Sequence, residues 1–209
     1  MAWTAPRTWV TGETVTAALM NAHIRDNFLE TSAATVTTAG DLVYADAANS
    51  MGTRLAIGAA NSHLVSTSSA PVWRDIVTAA DTGSYTGSPP GSPTSYAVLS
   101  SASWSTGNAV AVTVTTGTEA LVLLKAQLAN SAAGSTTFLA YSISGATTRA
   151  ASNNSAISYE ASVNADLAQF GGFDLAISLT AGSNTFTLEG RVSANTGTIT
   201  RPEIVVIAY

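Results

Sequence analysis

The sequence predicts a mainly β protein, in which an N-terminal helix and an extended region of short strands precede an antiparallel β-sandwich. Three observations predict it. Beyond residue 94, strand-sized apolar segments punctuated by turn residues recur at 96–100, 109–115, 119–129, 135–144, 156–164, 172–179, 184–192 and 198–208. That spacing, roughly a dozen residues, is the pattern of an all-β sandwich or barrel. Two of these segments alternate strictly: Val110, Val112 and Val114 against Ala111, Thr113 and Thr115, and Phe186, Leu188 and Val192 against Thr185, Thr187, Glu189 and Arg191. Alternation of this kind gives a strand one buried and one wet face. Only residues 12–30 carry a convincing helical period.

In that stretch Val15, Leu19 and Ala22, with Met20, Ile24 and Phe28 nearby, recur at steps of three and four, and no Gly or Pro falls between Val15 and Phe28. Thr14 is a plausible N-cap. A helix this short is marginal alone, so its apolar stripe needs a partner surface, either its own domain or copies of itself around a threefold axis. Residues 1–38 are expected to form one N-terminal segment containing this helix.

From 39 to 82 the texture changes to short apolar words: Asp41 to Tyr44, Arg54 to Gly58, His63 to Ser66 and Pro71 to Arg74. Four such words cannot close a sandwich core by themselves. They are expected to lie on a neighbouring chain or host surface, as a shaft or collar. Residues 83–93 (GSYTGSPPGSP) are dense in Gly and Pro and read as a linker. The sandwich should then occupy 94–209.

Two segments of that sandwich break the alternation. Ala120 to Leu124 and Ile204 to Tyr209 are apolar on both pleat faces. One face of such a strand meets the core and the other needs a second cover. Contact between subunits supplies one, which makes Val205, Ile207 and Tyr209 candidates for the interface of a homotrimer.

Composition limits the chemistry. Charged residues are 10% of the 209, the net charge is −5, and Lys125 is the only lysine. Displacing counterions from phosphates requires a basic surface, so nucleic acid is a poor partner. No apolar run approaches the roughly 20 residues of a membrane span. Residues 1–13 lack the basic and apolar regions of a secretory signal, so synthesis and assembly are expected in a cytoplasm.

The absence of cysteine excludes disulfides, thiolate metal sites and thiolate nucleophiles. His23 and His63 come without partner motifs and read as packed or surface residues, so no metal, cofactor or catalytic site is expected. A glycosidase needs only two facing carboxylates. Glu160 and Asp166 are the pair to test in the head, but the acids are scattered singly and no enzyme activity is expected. Asp41 and Asp46 read as turn or edge residues. Trp73, Trp104, Tyr141 and Tyr159 are the aromatics that would stack on a sugar if exposed; core or cross-strand packing is the commoner use. Asn153-Asn154-Ser155 reads as an accidental sequon.

Three parts of the chain resemble known proteins. Trp3-x-x-Pro6-Arg7-Thr8-Trp9, followed by Gly12-Glu13-x-Val15-Thr16-Ala17-Ala18-x-Met20-Asn21 and Arg25-Asp26-Asn27, is similar to the N-terminal segment of fibre and minor tail proteins of tailed bacteriophages. The words Gly40 to Ala45, Arg54 to Gly58 and Pro71 to Trp73 resemble hairpin units that recur in phage fibres; here the unit occurs once. Leu179 to Leu188, with the hydrophobic strand that follows, resembles jelly-roll heads that trimerise like the tumour necrosis factor and complement-head folds.

The resemblance implies a virion structural protein, a trimeric tail fibre or minor tail protein whose head contacts the host surface, a cell-surface glycan being one ligand class. A head fibre or capsid decoration protein is the alternative, and a glycan-cleaving spike stands third. Other virion proteins are the implied partners. Trp3, Pro6, Arg7, Trp9, Leu19 and Arg25 are the expected attachment residues.

Overall fold

β-branched and aromatic residues in short runs favour pleated backbone, and strands dominate the fold. The computed structural model describes residues 7–29, 36–45, 47, 53–67, 70–81, 84–87, 95–100, 103–104 and 110–209. They divide into two units, Met1–Trp73 and Arg74–Tyr209.

In the first unit a helical run is built from α1 (Ala17–Met20), a π segment (Asn21–Arg25) and α2 (Asp26–Leu29). It starts later than expected, because Thr16 is the cap: its hydroxyl accepts from the Leu19 N–H at 3.3 Å, satisfying one of the donors a helix start leaves open. β1 (Leu42–Tyr44) and β2 (Thr53–Leu55) form an antiparallel hairpin. β3 (Ser62–Ser66) is followed by β4 (Pro71–Ala80), and between them the Thr67 N–H donates to the Ala70 carbonyl at 3.3 Å.

Asp41 closes the turn before β1, in keeping with its reading as a turn or edge residue, and it also organises the hairpin. Its carboxylate accepts from the Arg54 guanidinium at 2.7 Å and from the N–H groups of Thr38 and Ile57 at 2.9 and 3.1 Å. The Arg54 bond, helped by those amides, lowers its pKa to about 2. A carboxyl held below its unfolded value stabilises fully above that value, about 4, and the contribution is lost as pH falls through about 2. Between pH 4 and 2 the wild type should therefore lose more stability than Asp41→Asn, as read by thermal melts at each pH. Parallel loss in both chains would refute the role.

Among the described residues the second unit has ten strands beyond the shared β4: β5 (Ser84–Gly87), β6 (Ala97–Ser100), β7 (Ser103–Trp104), β8 (Ala111–Thr116), β9 (Ala120–Asn130), β10 (Thr136–Gly145), β11 (Ile157–Glu160), β12 (Leu167–Ala176), β13 (Gly182–Val192) and β14 (Gly197–Ala208). One antiparallel sheet runs β12–β9–β14, with β4 and β5 sharing the far side of β14. The other runs β11–β10–β13, with β8 and β6 sharing the far side of β13. From β8 to β14 the chain crosses between sheets at every step except the β10–β11 pair, which is the strand order of a jelly roll. Val122, Ile204 and Val206 from the first sheet meet Leu139, Tyr141, Phe186 and Leu188 from the second in the buried core.

The structure moves the expected boundary. Residues 76–80, assigned by sequence to a shaft, pair with β14, and Ser84–Gly87, assigned to a linker, pair with it too. Tyr85 is buried in the core and its hydroxyl donates to Asp81 at 2.5 Å. Residues 83 and 88–93 of the expected linker lie outside the described residues.

Candidate assembly surface

The two strands read as apolar on both faces are neighbours. In the register of β9 with β14, Leu121 faces Ile207 and Leu123 faces Val205. These four point away from the core, whereas Val122, Leu124, Ile204 and Val206 point into it. The rows extend over the whole sheet. Leu175, Leu121, Ile207 and Ile76 form one, and Phe173, Leu123, Val205 and Thr78 the next. A third row, Gly171, Lys125, Glu203 and Ala80, is polar at its centre, where Lys125 and Glu203 pair at 3.4 Å.

Much of this face is open. Phe173 is 79% exposed, and Leu175, Leu123 and Ile76 are also exposed. Contiguous exposed apolar patches are often functional surfaces. The outer face of the other sheet is different: there Thr113 and Thr185 share a hydroxyl hydrogen bond at 2.8 Å, beside exposed Thr115 and half-buried Thr187 and Glu189.

β12 explains how large apolar side chains come to point outward. Alternation alone would bury Phe173, Leu175 and Ile177, yet the fold turns Asp174 and Ala176 inward. Asp174 is held by the Tyr141 hydroxyl, which donates to it at 2.5 Å while accepting from the Arg149 guanidinium at 2.6 Å. Arg149 also lies 3.6 Å from the Asp174 carboxylate and over the Tyr141 ring. Tyr141 is fully buried, and burial, followed by the bond to Asp174, pushes its pKa well above the ordinary tyrosine value. The phenol stays protonated and remains a donor. An inward charge on an edge strand also discourages further strand pairing there.

The candidate interface residues thus fall on one face: Val205 and Ile207 are half-buried on it. Tyr209, 40% exposed, continues the strand and is tied down, its N–H donating to the Glu119 carbonyl at 3.1 Å and its carbonyl accepting from the Gly117 N–H at 2.7 Å. Phe173, Leu175 and Ile76 were missed by sequence reasoning. For Phe173 and Leu175 the signal was the apolar set of β12, legible only once Asp174 is known to point inward.

In the first unit, Trp3 and Pro6 lie outside the described residues. Arg7 pairs with Glu13 and stacks on Trp9 at 5.2 Å, and Trp9 meets His23 edge-on. Leu19 is half-buried, and exposed Arg25 bonds Asp26. Beside them Met20, Ile24 and Phe28 form an exposed stripe along the helical run.

The other residues singled out by sequence do not converge. Trp73 packs its ring on Gly58, where a Cβ would come within 2.5 Å of it, and donates to the Ala56 carbonyl at 2.7 Å. Tyr159 stacks on Phe170 and bonds Asp166. Glu160 is exposed on the opposite pleat face of β11 from Tyr159, so Glu160 and Asp166 do not face each other. The Trp104 side chain lies outside the described residues. Asn153 accepts from Arg191 at 3.0 Å and from Tyr96 at 2.8 Å.

No family model matches this sequence, and no curated relative does. A solved structure is similar in outline. It is that of the infectious bursal disease virus Gx strain, aligned over 74% of this chain and 38% of the viral chain, with 13% sequence identity and a TM-score of 0.40. This chain therefore spans well under half of the length of the one it aligns with.

Proposed function

We propose that this chain is a structural subunit of a bacteriophage particle, a trimeric tail fibre or minor tail protein whose N-terminal unit attaches to the virion and whose jelly roll contacts the host surface. The observation that carries the reading is the apolar outer face of the β12–β9–β14–β4 sheet. Repeated self-association covers such a face by symmetry. The resemblance of residues 3–27 to phage fibre segments supplies the setting.

A second reading, a head fibre or capsid decoration protein, is favoured by one observation: the Asp41-centred hairpin occurs once, which fits a short object. Electron microscopy of intact particles carrying antibody against residues 110–209, with light scattering on the purified chain, tests both. Trimers at the tail tip are expected. Label on the capsid shell would favour the second reading, and a folded monomer absent from particles would overturn both.

A further inference from the structure

The apolar face carries a projection and a recess side by side. Phe173 stands out from β12 at 79% exposure. Next to it on the same pleat face is Gly171, which lines an open depression of about 420 Å³ together with Leu123, Lys125, Val205, Glu203 and Phe173 itself. The two glycines of this strand differ in what the chain asks of them. A Cβ on Gly172 would come within 2.7 Å of Ile157, so packing inside the sandwich accounts for it. A Cβ on Gly171 would meet only the Leu124 carbonyl oxygen, at 3.6 Å, an ordinary contact. Nothing in the fold requires glycine there. Glycine inside a strand weakens it, and often marks a place where another chain approaches closely.

We propose that Phe173 of one copy seats in the Gly171 depression of the next copy, so that projection and recess link copies of this chain into a closed ring. This rests on the trimeric reading and names the contact that makes it. Three features favour a second copy as the occupant. Projection and recess share one face, so each copy both gives and receives, and a closed assembly repeats that contact at every subunit. The Lys125–Glu203 pair neutralises the rim, so the face offers no charge that would select an oppositely charged partner. The two apolar rows on one side of the depression, Phe173 to Thr78 and Leu175 to Ile76, extend the contact towards the roughly 800 Å² per partner of a stable interface, and an aromatic anchor seated in a pocket is the usual form of a hot spot.

The test is light scattering at micromolar concentration on the full-length wild type, Phe173→Ala and Gly171→Leu, with circular dichroism to show that each is folded and Thr115→Ala on the opposite outer face as control. Phe173→Ala removes an exposed side chain and is expected to keep the fold. Both interface variants should associate at least about 30-fold more weakly than the wild type, and the control should be unchanged. A trimeric wild type whose Phe173→Ala and Gly171→Leu variants remain trimeric overturns the contact while leaving the trimer intact. A monomeric wild type overturns the trimeric reading and this contact together. Dimers that both variants dissociate would retain the contact and replace the threefold ring with reciprocal pairing.

Discussion

Val206→Asp is expected to leave the chain unfolded, while Val205→Asp, one residue earlier on the same strand, is expected to leave it folded and monomeric. Successive side chains of a strand point to opposite faces. Val206 is fully buried between Ile204 and Ala208 in the core. A carboxylate placed there has no partner, and an uncompensated buried charge costs several kcal/mol, a large part of the roughly 5–15 kcal/mol that holds a domain together.

Val205 is half-buried on the outer face beside Leu123 and Thr78. A carboxylate there reaches water in the free chain, so the fold survives, but assembly would enclose it with its symmetry mates. Ile207→Asp, on the same face, should behave alike. Glu189→Lys, on the polar face of the opposite sheet, should shift stability by only about half a kcal/mol. Melting curves and light scattering on the four variants separate these outcomes. A Val205→Asp chain that stays trimeric with unchanged melting would remove this face from the interface.

That Val205 and Val206 point to opposite faces was legible in the sequence, since successive side chains of a strand alternate. β8 and β13 were legible further: their polar face is wet, so alternation fixes which residues enter the core. β12 was not. Its two faces differ in size more than in polarity, and what turns Asp174 inward is a tyrosine on β10 and an arginine after it, contacts distant in sequence. β5 was lost in a Gly- and Pro-rich run because its partner, residues 197–200 of β14, lies more than a hundred residues away and no local signal announces it. The kink in β14 was hidden for the same reason: Arg201 takes φ +52° at the register shift between Thr200 and Glu203, a bulge set by pairing with β9.

The largest loss outside β14 is expected at Tyr141, where a fully buried ring and a hydroxyl at the centre of a charged pair coincide. Tyr141→Ala should cost about 3–5 kcal/mol, the range for emptying a large aromatic from a core, because the ring packs 5.8 Å from Phe186 and no neighbour can replace it. Tyr141→Phe keeps the ring and removes only the hydroxyl. It should cost about 1–3 kcal/mol, the range for leaving a partly buried charged group without its partner, since Asp174 and Arg149 would then meet only at 3.6 Å.

The two variants also separate the hydroxyl's behaviour at high pH. Burial raises the Tyr141 pKa, and burial with the Asp81 bond raises that of Tyr85 to about 12. A group whose folded pKa lies above its unfolded value, about 10 for tyrosine, contributes fully below that value and loses the contribution as pH rises beyond it. Denaturant midpoints of the wild type should therefore fall as pH climbs from 10 towards 12, and Tyr141→Phe should fall less steeply because one of the two tyrosines is gone. If the midpoints of wild type and Tyr141→Phe agree at neutral pH and decline together above pH 10, the Asp174–Tyr141–Arg149 cluster does not hold β12 in place.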